Sequence, residues 1–317
     1  MGGQAHVPAF AKILGSELVA LGDRIEERIK KYSEKYRVKY YLDYDQLLDD
    51  ARVDAVVLAV PTPFHYDMCM KAIGKGKHVL CEMPLAPRAS EAQKLGREAD
   101  KAGVTLMPVL NFRFTPNYVK AKELIDAGRI GNPVAVSFRE FIAAKDLAAQ
   151  WPAGSWAWDI EKSGGYPDFT LSVWSIDLLR WLLDAEIDEV EWKSSYAALK
   201  EYGGIKSYNT MGLVKFSTGA VGALHFSSMV VPTAGTSRLE VFGDNTCNLQ
   251  ANWNDSLTLN GQDPERQEWL FREGGTKVWG HYQLDEYFIQ CVLNNKKSKI
   301  TAEDAAKAID VASKMLE

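Results

Sequence analysis

The sequence predicts an α/β protein: a doubly wound parallel sheet first, then an α+β domain with an open, mostly antiparallel sheet. Three observations predict it. The first third alternates apolar strands with amphipathic helices, the order that builds a parallel sheet. Beyond about residue 110, strand-like segments joined by turn signals take over. A glycine pair near the start is followed, 20 residues after Gly3, by an acid at a strand end.

Element by element, 16–23 reads as a short strand ending in Asp23, and 24–36 as a charged amphipathic helix. Residues 53–60, VDAVVLAV, are nearly all apolar, as a parallel strand buried on both faces requires, and Pro61 ends them. A helix over 65–76, a strand over 77–81, a helix over 90–103 and a strand over 104–110 complete the alternation. A helix over 115–127 follows, ending at Gly128. Then come PVAVSFREF, DEVEWKSSYAAL, MGLVKFS, GAVGALHFSS, SRLEVFG and CNLQA, with turns such as Ser217-Thr218-Gly219 between them. The helix over 169–184 is apolar nearly all round, the mark of a buried helix. Thr301 and Asp304 resemble a capping box at the last helix. The expected domains are 1–109 for a dinucleotide and 110–317 for substrate binding and oligomerisation.

Bulk properties narrow the function. The chain has 317 residues, 46% of them hydrophobic, enough for two domains, and a net charge of −5, with no basic footprint for nucleic acid. No apolar stretch approaches the ~20 residues that span a bilayer. The four cysteines are scattered without a CxxC pair and read as reduced thiols of a cytoplasmic protein. The five histidines are dispersed in sequence, so no metal site is expected.

Gly2-Gly3-Gln4-Ala5 fits the tail of the G-x-G-x-x-G/A fingerprint, whose glycines allow a tight turn and close approach to a pyrophosphate. Asp23 then stands where a ribose-binding acid belongs, which favours NAD over NADP, and Arg24 beside it weakens that preference. Such a turn follows a central strand. The expectation is therefore a Rossmann-like unit whose sequence begins one strand late, with Met1 inside a Gly-Met-Gly-Gly turn.

Residues 59–86, 111–133 and 163–183 carry three unlike motifs in order, and together they closely resemble the Gfo/Idh/MocA family of NAD(P)-dependent oxidoreductases. The resemblance implies a Rossmann domain, a second domain with an open sheet, a sugar, cyclitol or related polyol as substrate, and a homodimer or homotetramer formed through that sheet. It also implies that Pro61 and His65 line the dinucleotide, with helix capping an equal alternative for His65. Glu82 and Pro84 match the family's E-K-P motif, and Asn111 and Arg113 match a segment near the nicotinamide. An inter-domain salt bridge is the alternative for Arg113.

The catalytic pattern departs from the family. Where the family carries Lys, Asp and His, this chain has Met83, Thr170 and Trp174. Met has no proton to move, and an indole donates but cannot accept one. The candidate replacements are Tyr166, Asp168 and Asp177, with helix N-capping the plainer role for Asp168 and a structural hydrogen bond for Asp177. Trp156, Trp158 and Trp174 are candidates to stack on a substrate, and Gly164 and Gly165 to allow close approach. The reading is a hydride-transferring oxidoreductase with an atypical catalytic set. The alternatives are a non-catalytic nucleotide or sugar binder, and an elimination that uses NAD transiently.

Overall fold

The structure is a computed structural model and describes residues 2–230, 236–253, 255–261, 266–271 and 279–316. Met1, with the turn position expected for it, lies outside them. The chain divides into two compact units: Met1–Leu110 with His281–Ala306, and Asn111–Gly280 with Lys307–Glu317. A second domain running unbroken over 110–317 therefore omits a return of the chain to the first unit.

In the first unit, β1 (Ala20–Gly22) pairs in parallel with β2 (Lys39–Tyr41). β3 (Ala55–Leu58), β4 (His78–Cys81) and β5 (Leu106–Pro108) form a separate parallel sheet in that order. The helices are α1 (His6–Phe10), α2 (Glu26–Tyr36), α3 (Tyr44–Leu48), α4 (His65–Gly74) and α5 (Ala89–Ala102). Val79, Leu80 and Cys81 of β4 are fully buried, as their apolar run requires. β2 and α3 were not legible because both are short and polar; α3 forms around a side-chain cap, Asp43 accepting from the Gln46 N–H. The helix His281–Leu293 joins this unit by packing on α1.

The second unit contains α6 (Pro116–Asp126), β6 (Pro133–Ala143), α7 (Ala144–Gln150), α8 (Ile160–Ser163) and α9 (Pro167–Leu183). Seven strands follow: β7 (Ile187–Leu199), β8 (Ile205–Phe216), β9 (Val221–Val230), β10 (Thr236–Gly243), β11 (Asn248–Asn252), β12 (Ser256–Asn260) and β13 (Arg266–Leu270). They lie in one sheet with β6, in the order β13-β12-β11-β10-β6-β9-β8-β7. Only β6 and β9 pair in parallel. α9 is the buried helix the sequence predicts: Pro167 opens it, where a missing N–H costs nothing, and Leu178, Leu179 and Leu182 are fully buried. From Thr210 to Phe216 β8 alternates buried and exposed residues, so Met211 and Leu213 project outward, 54% and 66% exposed. Among the described residues, no helix is long and apolar enough to cross a membrane.

Candidate functional site

In the first unit the glycine turn runs directly into α1, with the Val7 N–H donating to the Gly2 carbonyl. The Tyr32 ring lies against Gly3: a Cβ there would sit 2.6 Å from Tyr32 Cζ, so only glycine fits without displacing the ring. Gln4 is exposed and Ala5 precedes the first helical residue. Asp23 follows β1 directly, and its Oδ1 accepts from the Ile25 N–H at 2.9 Å, which fixes the carboxyl at the strand end. Arg24 lies over the Phe64 ring, 5.6 Å from its centroid. A glycine backbone turn at the start of a helix and a fixed strand-end carboxylate are the groups that a dinucleotide pyrophosphate and ribose need.

Behind this turn lies a buried ion cluster that sequence reasoning missed. His6 Nδ1 is 2.9 and 3.0 Å from the two Asp285 oxygens, and its Nε2 is 3.2 Å from Glu82 Oε1. All three side chains are buried. Burial alone lowers the His6 pKa, but its hydrogen bonds to Asp285 and Glu82 outweigh it and raise the ring to about 9. Glu82 responds in kind: burial pushes its carboxyl up, and His6 pulls it net below the usual range. His281 stands 3.9 Å from Glu82 Oε1, and burial holds it down to about 4. His6, Glu82 and His281 each place a ligand atom within 4.8 Å of the others, a set that one divalent cation could bridge. His6 and His281 are thus distant in sequence but close in space. The only local signal was a lone His on the apolar face of α1; Asp285 is 279 residues away.

Glu82 and Pro84 of the E-K-P-like segment serve this scaffold. Glu82 is bound to His6, and the Pro84 carbonyl lies 2.7 Å from His65 Nδ1. The other His65 nitrogen is 2.8 Å from the Val60 carbonyl. His65 therefore braces the strand ends that carry Pro61 and Pro84 and is itself 1% exposed, which corrects the expectation that it lines a ligand. Burial holds its pKa low against those two carbonyls. Met83, in the family's Lys position, is buried.

In the second unit two expectations are corrected. The Arg113 guanidinium grips Asp177 with two hydrogen bonds, Nε to Oδ2 at 2.8 Å and Nη2 to Oδ1 at 2.5 Å. Arg113 thus pairs with Asp177 inside this unit, the salt bridge lying within one unit and not between two, and Asp177 is an ion-paired acid. Asn111 donates through Nδ2 to the Trp279 carbonyl, so its amide holds the chain.

Asp168 is not the helix cap; Tyr166 occupies that position. The Asp168 Oδ2 accepts from Tyr196 at 2.9 Å and Thr210 at 2.7 Å, so its carboxyl faces β7 and β8. Thr170 is two residues on, about 200° round the helix. Burial raises the Asp168 pKa against the pull of those two hydroxyls. Gly165 serves packing: a Cβ there would lie 2.4 Å from Phe169 Cβ. Gly164 ends α8 with φ 85°. Trp158 donates to the Trp151 carbonyl, and Trp156 meets Trp151 edge to face, so these indoles brace one another while Trp156, Trp158 and Trp174 remain half-buried.

A glycine turn, a strand-end acid and a second unit built on one broad sheet define the class of two-unit dinucleotide-dependent oxidoreductases. Residues 1–109 match the oxidoreductase family with an NAD-binding Rossmann fold, residues 118–246 match its C-terminal domain, and the chain belongs to the Gfo/Idh/MocA family. It is 28% identical over 306 residues to the scyllo-inositol 2-dehydrogenase (NAD(+)) of Bacillus subtilis, covering 94% of this chain and 84% of that protein. It is 31% identical over 200 residues to the myo-inositol 2-dehydrogenase of Thermotoga maritima, covering 62% of this chain and 56% of that one. The fold superposes on a levoglucosan dehydrogenase in complex with NADH and levoglucosan, with a TM-score of 0.84 at 18% identity, over 100% of this chain and 94% of that one.

Proposed function

We propose that this protein is an NAD-dependent oxidoreductase that moves hydride to or from a carbon of a cyclitol, sugar or related polyol. The observation that carries the reading is the pairing of the Gly2-Gly3 turn with Asp23, fixed at the end of β1. Bound NAD supplies the hydride acceptor, or NADH the donor. The chain's own part is to hold the pyrophosphate at the turn and the ribose at Asp23, and to present a proton-handling group to the substrate oxygen. The inositol and levoglucosan dehydrogenases among its relatives and fold neighbours support a polyhydroxylated substrate.

The test is calorimetric titration with NADH and with NADPH, followed by a panel of inositols, aldoses, anhydrosugars and their ketones. Tighter binding of NADH and turnover with one member are expected. A folded protein that binds neither dinucleotide overturns the reading. A second reading, a non-catalytic binder, is favoured by Met83, Thr170 and Trp174; dinucleotide binding without turnover of any member would establish it.

The assembly we propose is a homo-oligomer through the outer sheet face. Leu213, Met211 and Val221 are 66%, 54% and 53% exposed, and Leu213 and Val221 lie two residues apart in register across β8 and β9. Light scattering should give a dimer or tetramer, and Leu213→Lys should yield monomer. The buried free thiols Cys69, Cys81 and Cys291 fit a reducing compartment, the cytoplasm.

A further inference from the structure

We propose that Tyr166, held by Lys206, is the proton donor and acceptor of the reaction, in place of the Lys and His that the family carries at positions 83 and 174. The proposal rests on the oxidoreductase reading above. Lys206 Nζ donates to the Tyr166 hydroxyl at 2.6 Å and lies 4.4 Å from the centre of its ring. The ring is fixed from another side by Tyr196, edge to face at 5.1 Å. The phenol is thus oriented by two neighbours, and only one of them carries charge.

Position supports the assignment. Tyr166 occupies the N-cap position of α9, and its ring lies against Tyr196 of β7 and Lys206 of β8. Thr170 and Trp174, at the positions of the family's acid and histidine, follow within the helix, and Thr170 Oγ1 is buried without a hydrogen-bond partner among the described residues. The other candidates are engaged elsewhere: Asp177 by Arg113, and Asp168 by Tyr196 and Thr210.

The chemistry balances. In the reducing direction a bound reduced dinucleotide would supply a hydride to the carbonyl carbon, and the C=O π pair would move to oxygen. That oxygen takes the Tyr166 proton as the phenol O–H breaks. The resulting phenolate is held by the Lys206 ammonium, and because Lys206 is exposed, solvent returns the proton. Oxidation runs the same steps backwards.

Two measurements on the full chain test this. The first needs no turnover. An aryl sulfonyl fluoride reacts with an activated phenol, forming an O–S bond and releasing fluoride, and peptide mass spectrometry locates the adduct among the 13 tyrosines. Tyr166 is expected to react several-fold faster than the other exposed tyrosines, to fall to their level in Lys206→Met, and to keep its rate in Lys206→Arg. Labelling of Tyr166 at the common rate, or a rate unchanged in Lys206→Met, overturns the pair. The second is kinetic, with whichever substrate the panel yields. Tyr166→Phe should lose ~10²–10⁴ in kcat with NADH affinity unchanged, and Lys206→Met should lose less and be restored by Lys206→Arg. Full kcat in Tyr166→Phe overturns the assignment. Failure of the wild type to turn over any substrate sinks the oxidoreductase reading instead, and the labelling experiment still decides the pair.

Discussion

The His6 cluster of the first unit and the Asp168–Glu140 region of the second hold their acids in opposite ways. In the first, Glu82 and Asp285 share the His6 ring, a partner that carries charge. In the second, Asp168 faces the hydroxyls of Tyr196 and Thr210 and backbone N–H groups, with no cation among its named partners, and Glu140 of β6 is half-buried near the Ser175 hydroxyl. The consequence lies in protonation. His6 is raised to about 9, so the first cluster stays charged at neutral pH. Burial pushes Glu140 up to about 7, against the pull of Ser175, so its charge changes across the neutral range. The first unit has an ionic brace behind its glycine turn; in the second, beside the Arg113–Asp177 pair, Glu140 has a state that follows pH.

The largest effect should come from removing the charged partner. His6→Ala leaves two carboxylates buried without their cation and should cost roughly 3–5 kcal/mol, read as a lower urea midpoint in far-ultraviolet dichroism. The pH dependence has a defined sign. The folded His6 pKa of about 9 lies above the usual 6.5, so its stabilisation is full below 6.5 and is lost as pH rises through 9. The variant should be flat across that window. A loss below about 1 kcal/mol would mean that the cluster is not a brace, and the comparison breaks.

How far the sequence could be read follows from the same contrast. The parallel strands were legible because β3 and β4 are short apolar runs between helices, and α9 because it is apolar all round. Asp23 was legible because the fingerprint fixes its distance from the glycines. The His6 cluster was not, because its members come from α1, the end of β4 and a helix that returns from the C-terminal end of the chain. Lys206 stands on an exposed position of β8, where alternation predicts a solvated lysine; only the packing of α9 on that sheet brings Tyr166 to it. The Arg113–Asp177 pair was half legible: both residues were singled out, but with roles that each excludes in the other.

Glu140→Gln sharpens the comparison in the second unit. Its folded pKa of about 7 exceeds the usual 4.5, so the unfolded chain binds fewer protons between those values and stability falls as pH rises through them. The shift corresponds to about 3 kcal/mol. Glutamine cannot ionise, so the variant should match the wild type near pH 4.5 and exceed it above pH 7. All nine tryptophans lie within residues 151–279, so their fluorescence reports this unit. A wild-type stability that is level from pH 4.5 to 7 would show that Glu140 is not held protonated by burial.

The smallest effect is expected at Asp168, and it separates the two modes of burial most directly. Asp168→Asn keeps a carbonyl oxygen that can accept from both Tyr196 and Thr210, and no buried cation loses its counter-charge. The cost should stay within about 1 kcal/mol. Asp168→Ala, which leaves two hydroxyls unpaired, should cost about 1–3 kcal/mol. The same exchange of acid for amide at Asp285 removes one of the two anions of a buried imidazolium, leaving Glu82, and should cost more. Urea unfolding of the three variants at pH 8 orders them. An Asp168→Asn loss as large as that of Asp285→Asn would mean that Asp168 works as a charge, not as an acceptor, and that the second unit holds a cationic partner for it.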